Sequence, residues 1–341
     1  MGFQLGVYSF GNLQYHPDGS PGSTAAAIRD LLEAIVLAEQ VGLDYFGVGE
    51  HHALIMPVAS PVSVLNAAAA VTNKIGLGST VTVLSTDDPV RVYQQHATAH
   101  AISNGRVDIT VGRGSSPESF PLFGYRLEDY DALYAAKLEL LLAVNDHDRV
   151  TWDGPFRALP LHDALVVPRA EPKLKIWLGT GGSHESTVRA GTLGLPVFYG
   201  ILGGDVAQWT RMAALYRDAA AQAGHDPAGM DIAVASHGFI AADGARAKQA
   251  FYEKELFVMR SVGRSVAPAS SFFEQRYNPG GMVFAGDPSE IADRIIDLHR
   301  GLRHSRHIIQ MDIGGMPHRD VLTAIELLGT EVAPRVRAEL G

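Results

Sequence analysis

Four short stretches of the chain carry side chains suited to chemistry. The first is Glu50-His51-His52, a carboxylate followed by two imidazoles. An imidazole, with an ordinary pKa of about 6.5, exchanges protons near neutrality. Neighbours on an extended strand point to opposite faces, so His51 and His52 cannot share one ligand unless the strand has already ended. No helical H-E-x-x-H spacing is present either, which argues against zinc. Two readings stand: a proton carrier, or a structural histidine hydrogen-bonded at a rim. The second stretch, Gly112-Arg113-Gly114-Ser115, sets one guanidinium among residues with little or no side chain. Arg113 is then either an ordinary surface arginine or a partner for a phosphate or other anionic oxygen. In the third, Gly179-Thr180-Gly181-Gly182-Ser183-His184-Glu185-Ser186, glycines precede an amphipathic helix. Backbone N–H groups at such a helix start accept anions. The stretch fails both the dinucleotide fingerprint, with His184 at the third glycine position, and the P-loop, which needs Gly-Lys-Ser/Thr. A plain strand-to-helix turn capped by Ser183 or Ser186 explains it equally well. The fourth, Asp87-Asp88-Pro89, reads as a turn and helix cap, and no metal is expected there.

These residues need elements to bring them together. Short β-rich runs alternate with helical patterns along the chain, which signals βα units around a parallel sheet. Eight strands are predicted: Phe3–Ser9, Asp44–Gly49, Ile75–Leu84, Val107–Val111, Lys175–Leu178, Pro196–Tyr199, Asp231–Ile240 and His307–Asp312. Most are nearly continuous apolar runs, as strands covered on both faces must be. Helices are predicted over Thr24–Val41, stopped by Gly42, over Pro89–Asn104 before Gly105, and from Asp287-Pro288-Ser289-Glu290 with Asp287 as N-cap. Eight strands with helices between them give an α/β fold, a single (β/α)₈ TIM barrel over residues 1–341. In that fold the functional residues gather where the strands end. Tyr8-Ser9-Phe10, Glu50-His51-His52, Thr82–Thr86, Arg113 and the 179–183 glycines all stand at strand ends and outline a polar cleft. Loop insertions are expected after strands 4 and 7. They lie near 115–129, 150–172 and 256–284, the last holding a flap around Gly263–Met282, since long irregular loops in compact domains are usually functional.

Composition narrows the field further. Of 341 residues, 46% are hydrophobic and 19% charged, which suits a globular chain with a large core. A net charge of −9 provides no global cationic field, so nucleic acid and anionic membrane are not expected partners. The absence of cysteine removes disulfides, thiolate nucleophiles and iron–sulfur clusters together. No basic stretch followed by an apolar one opens the chain, and no run of about 18 apolar residues occurs. A cytoplasmic enzyme is expected. The alanine-rich stretch around Val58 to Val71 reads as a buried helix.

Taken together the chain resembles the bacterial luciferase-like family of flavin-dependent monooxygenases. The resemblance rests on the order and spacing of many pieces: Ala38–Asp44, Glu50-His51-His52, Ile75–Gly78, Asp88–Arg91, Ser103–Val107, Gly112-Arg113-Gly114, Gly194-Leu195-Pro196 and Gly286–Glu290. It implies a (β/α)₈ barrel, usually a homodimer. The barrel would bind reduced flavin mononucleotide (FMN) as a co-substrate, delivered by a separate flavin reductase, and use O2 to oxygenate a small organic molecule. By the same resemblance His51 is the catalytic histidine beside the flavin. Thr80 and Val81 are the third-strand pair that packs on the isoalloxazine, often joined by a cis bond. Arg113, Gly182, Ser183 and Ser186 match the phosphate-holding positions, and Gly112 and Gly181 from the same turns complete the cofactor-binding set. Asp131 departs from the pattern, because many relatives carry an arginine there that reaches the phosphate. Arg113 is therefore expected to carry more of that charge, with help from His184. A branch of the same fold uses the deazaflavin F420 for hydride transfer and is the alternative enzyme. A non-catalytic flavin binder is the alternative outside catalysis.

Overall fold

Strands that are apolar on consecutive residues must be covered on both sides, and Val107–Gly112 shows the result, with all six residues buried. The computed structural model describes residues 2–16, 18–114, 116–261 and 269–341. Eight parallel strands form a closed ring: β1 (Gln4–Ser9), β2 (Tyr45–Val48), β3 (Gly76–Val83), β4 (Val107–Gly112), β5 (Ile176–Thr180), β6 (Val197–Ile201), β7 (Ile232–Ile240) and β8 (Arg306–Gln310). Each pairs with the next, and β8 returns to β1 through Gln4↔Arg306 to Val7↔Ile309. Helices cover the outside, so this is the (β/α)₈ barrel expected from the sequence. All eight predicted strands are present, their ends shifted by up to two residues.

The helix signals also act as predicted. Ser23 caps Thr24–Gln40, and Gly42 follows it at φ 78°. Asp88 accepts from the N–H groups of Val90 and Arg91 at the start of Pro89–Ile102. Asp287 accepts from Glu290 N at 3.0 Å to open Pro288–Leu302. The alanine-rich stretch is helix Pro61–Val71, and among the described residues no helix is long and apolar enough to cross a membrane.

The N-terminal end of the barrel is plugged by polar and aromatic side chains that satisfy one another. Buried Asp108 accepts hydrogen bonds from Tyr45 Oη (2.6 Å), Trp177 Nε1 (3.0 Å) and Arg306 Nη1 (2.9 Å). The Arg306 guanidinium lies 3.7 Å from the Tyr45 ring centre and donates from Nε to Gln4 Oε1. Gly78 makes room for this layer, because a Cβ there would stand 2.2 Å from Asp108 Oδ1.

Two connections are long. Between β4 and β5 run helix Ser119–Leu122, helix Tyr130–Asp146, and an antiparallel hairpin of Arg149–Trp152 with Leu161–Leu165. After β7 come helices Gly244–Ser261 and Ala269–Tyr277, then a strand, Val283–Gly286, that pairs in parallel with the upper half of β7. The flap expected at Gly263–Met282 lies outside the described residues over 263–268, as does Ser115. From Ala269 onward the expected irregular loop is instead a helix. Its Phe273 and Tyr277 rings stack at 4.7 Å and both pack on Tyr252.

Candidate active site

The C-terminal ends of the strands surround a cavity of about 610 Å³, and every one of the eight barrel strands, or the loop after it, contributes lining residues. Tyr8 and Phe10 come from β1, Glu50 and His51 from β2, Thr80 and Val81 from β3, Gly112 and Arg113 from β4. Thr180, Gly181, Ser183 and Ser186 follow β5, and His237 comes from β7. Of the nine residues singled out in the sequence, eight line the cavity: His51, Thr80, Val81, Gly112, Arg113, Gly181, Ser183 and Ser186.

One wall is built around His51. Strand β2 stops at Val48, so the following residues are free of its alternation. Glu50 is buried, and its carboxylate is shared. Oε1 accepts from His52 Nε2 at 2.9 Å, and Oε2 accepts from Val83 N at 2.9 Å, tying the end of β2 to β3. His52 is thereby turned aside, and His51 alone of the pair faces the cavity. Its ring edge meets Phe10 at 4.9 Å between centroids, and Nδ1 stands 3.8 Å from Glu118 Oε1. Burial lowers the His51 pKa below the ordinary imidazole value, outweighing the upward pull of Glu118 and Glu50. Burial therefore favours the neutral form of the His51 ring.

The floor is β3. The Thr80–Val81 peptide is cis, and the pairing with β4 skips Val81, from Thr80↔Thr110 to Thr82↔Val111. Gly112 and Gly179 flank the bulged residue. A Cβ on either would come within 2.8 Å of the Val81 side chain, so both glycines are required. Thr80 Oγ1 is buried with no hydrogen-bond partner.

The opposite end is suited to an anion. Ser183 caps helix His184–Thr192, accepting from Ser186 N, and the first N–H groups of that helix point out of its end. Ser183 is thus the cap of the helix, and it also lines the cavity. Gly182 does not line it. Its φ of 89° makes the turn, and a Cβ would strike the Trp209 ring at 2.6 Å, so its role there is backbone geometry. Arg113 differs from the expectation. Its Nη1 is 2.5 Å from Asp131 Oδ1, and its guanidinium lies 5.1 Å from the Tyr130 ring centre. Asp131 does not merely withhold a charge from the site; it occupies Arg113. His184 is exposed and does not line the cavity.

Sequence reasoning missed the far wall. His237 Nδ1 lies 3.4 Å from Glu255 Oε1, which also accepts from Arg276 Nη2 at 2.7 Å, while Glu255 Oε2 accepts from Tyr277 Oη at 2.7 Å. Burial alone would raise the Glu255 pKa. The His237 hydrogen bond and the Arg276 guanidinium override it and hold the carboxyl down at about 2. A histidine interrupting the apolar run Ile232–Ile240 was the available signal. Away from the cavity, Asp30, Glu33 and His318 converge with ligand atoms within 4.8 Å of one another, on a partly exposed surface.

Known proteins resemble this chain to different depths. An uncharacterised protein, y4vJ of Sinorhizobium fredii, is 24% identical over 332 residues, 94% of each chain. An F420-dependent glucose-6-phosphate dehydrogenase of Beutenbergia cavernae is 35% identical over 181 residues, 49% of this chain and 51% of that enzyme, so about half its length is matched. The barrel superimposes with a TM-score of 0.78 on the oxygenating constituent of 3,6-diketocamphane monooxygenase from Pseudomonas putida in complex with FMN, at 17% identity over 98% and 99% of the two chains. The luciferase-like monooxygenase family model matches residues 9–305, and the chain belongs to that family.

Proposed function

We propose that this chain is an FMN-dependent monooxygenase that oxygenates a small organic molecule with O2, acting as a homodimer on reduced FMN supplied by a separate reductase. The observation that carries the reading is one cavity with a shielded imidazole at one wall and a helix N-terminus with an arginine at the other. The lining fits a flavin on its own chemistry. The volume lies within the range of about 300–1,000 Å³ typical of small-molecule sites. Thr80 Oγ1 is an orphan polar atom, and a Cβ on Gly181 would meet nothing within 4 Å. Val81 would pack on the ring system, and Ser183, Ser186 and Arg113 would hold the phosphate. When bound, reduced flavin supplies the electrons that activate O2, one oxygen atom entering the substrate and the other leaving as water.

The chain's own residues do the rest. His51, neutral and shielded, takes or returns a proton at the reacting end. Phe10 and Val81 keep water from it, and His237, oriented by Glu255, meets the polar group of a substrate on the far wall. The F420 reading draws on the dehydrogenase relative, so the two are separated by experiment. Reduced FMN with a panel of aldehydes and ketones is expected to give substrate-dependent oxygen uptake. F420 reduction by an alcohol or sugar substrate without oxygen uptake would overturn the monooxygenase reading.

A further inference from the structure

We propose that Asp131 sets how tightly the site holds its cofactor's anionic tail, by competing with that tail for Arg113. The proposal rests on the flavin reading above and assigns a role to a residue outside the lining. Among the described cavity-lining residues Arg113 is the cation at the Ser183–Ser186 end, while Arg276 belongs to the far wall with Glu255. Arg113 is held from two sides. Its guanidinium rests against the Tyr130 ring, which is itself fixed by a 2.5 Å hydrogen bond from Tyr130 Oη to Gly114 O. Its Nη1 meets the Asp131 carboxylate at 2.5 Å.

The two partners differ in how easily they let go. Asp131 is 67% exposed and Arg113 25%. A carboxylate that wet can rotate into water at little cost, whereas the arginine stays on its aromatic rest. Asp131 also sits in the first turn of helix Tyr130–Asp146, where the helix dipole favours negative charge. A phosphate arriving between Ser183 and Arg113 meets this carboxylate as a like charge, and binding requires Asp131 to turn outward. The guanidinium thus has two states, paired to Asp131 or paired to phosphate. Exposed ion pairs are weak, so the competition reduces affinity by about two- to fivefold and does not abolish binding. A flavin held this way exchanges readily, as a co-substrate must.

The test is binding, read by quenching of flavin fluorescence at low ionic strength, with oxidised FMN and with riboflavin, which lacks the phosphate. Asp131→Asn is expected to tighten FMN about two- to fivefold and to leave riboflavin unchanged. In an Arg113→Gln background the same substitution is expected to tighten FMN clearly less than in the unaltered protein and to leave riboflavin unchanged; an equal gain there would overturn the competition. Unchanged or weaker FMN binding in Asp131→Asn, or an equal gain for riboflavin, would overturn the proposal while leaving the flavin reading intact. Failure of the unaltered protein to take up either flavin would overturn both.

Discussion

The two ends of the barrel are made from the same strands and treat polar groups in opposite ways. At the N-terminal end Asp108, Tyr45, Trp177, Arg306 and Gln4 satisfy one another. At the C-terminal end Thr80 Oγ1 lacks a partner, His51 accepts no close hydrogen bond, and glycines hold open the edges. Buried polar groups destabilise unless they are paired, so the closed end is a device for rigidity and the open end is shaped for a ligand. The contrast separates stability from chemistry along a single axis, and each half can be disturbed alone.

The largest expected effect is at the closed end. Arg306→Leu strands the Asp108 charge inside the barrel and should cost about 3–5 kcal/mol in urea unfolding, while the folded fraction binds flavin as before. Adding Asp108→Asn to that variant should restore part of the loss. If the single substitution proved nearly neutral, the closed end would not be the rigid half. At the open end His51→Ala should show the reverse pattern. Turnover should fall about a hundredfold, the usual scale for a lost acid–base group, with little change in thermal midpoint.

A subtler effect sharpens the role of that imidazole. Burial depresses the His51 pKa, so its neutral form persists below the ordinary 6.5. Activity that needs neutral His51 is complete at pH 7 and is lost only as pH falls through this lowered value. Glu118→Gln removes a carboxylate that favours the charged ring, so the acid limb of kcat/KM should move to still lower pH. A limb that moved upward would mean that a different group titrates.

The barrel is legible in the sequence because its strands bury both faces. Val107–Gly112 and Ile232–Ile240 are therefore mostly apolar, broken only by residues such as Asp108 and His237. Caps such as Asp88 and Asp287 are equally legible, being local hydrogen bonds within three residues. The hairpin strands Arg149–Trp152 and Leu161–Leu165 carry no such continuous run, since half their residues or more face solvent. In the site, His51 and the Ser183 turn are readable from strand-end position. The His237–Glu255–Arg276 wall is not, for its members lie 18 and 21 residues apart and meet only through packing. Asp131 is visible as an unexpected carboxylate, but its hold on Arg113, 18 residues away, is a fact of three dimensions.

Strand β7 is the longest of the ring, and it works on two storeys. Its lower part, Ile232 to His237, closes the cylinder with β6 and β8, whereas His237 to Ile240 pairs with Val283–Gly286. The chain between those paired segments departs from and returns to one rail above the cylinder, carrying Glu255 and Arg276 with it. Because both ends of that stretch are pinned to one strand, lengthening or recomposing it is expected to leave the melting of the ring beneath little changed.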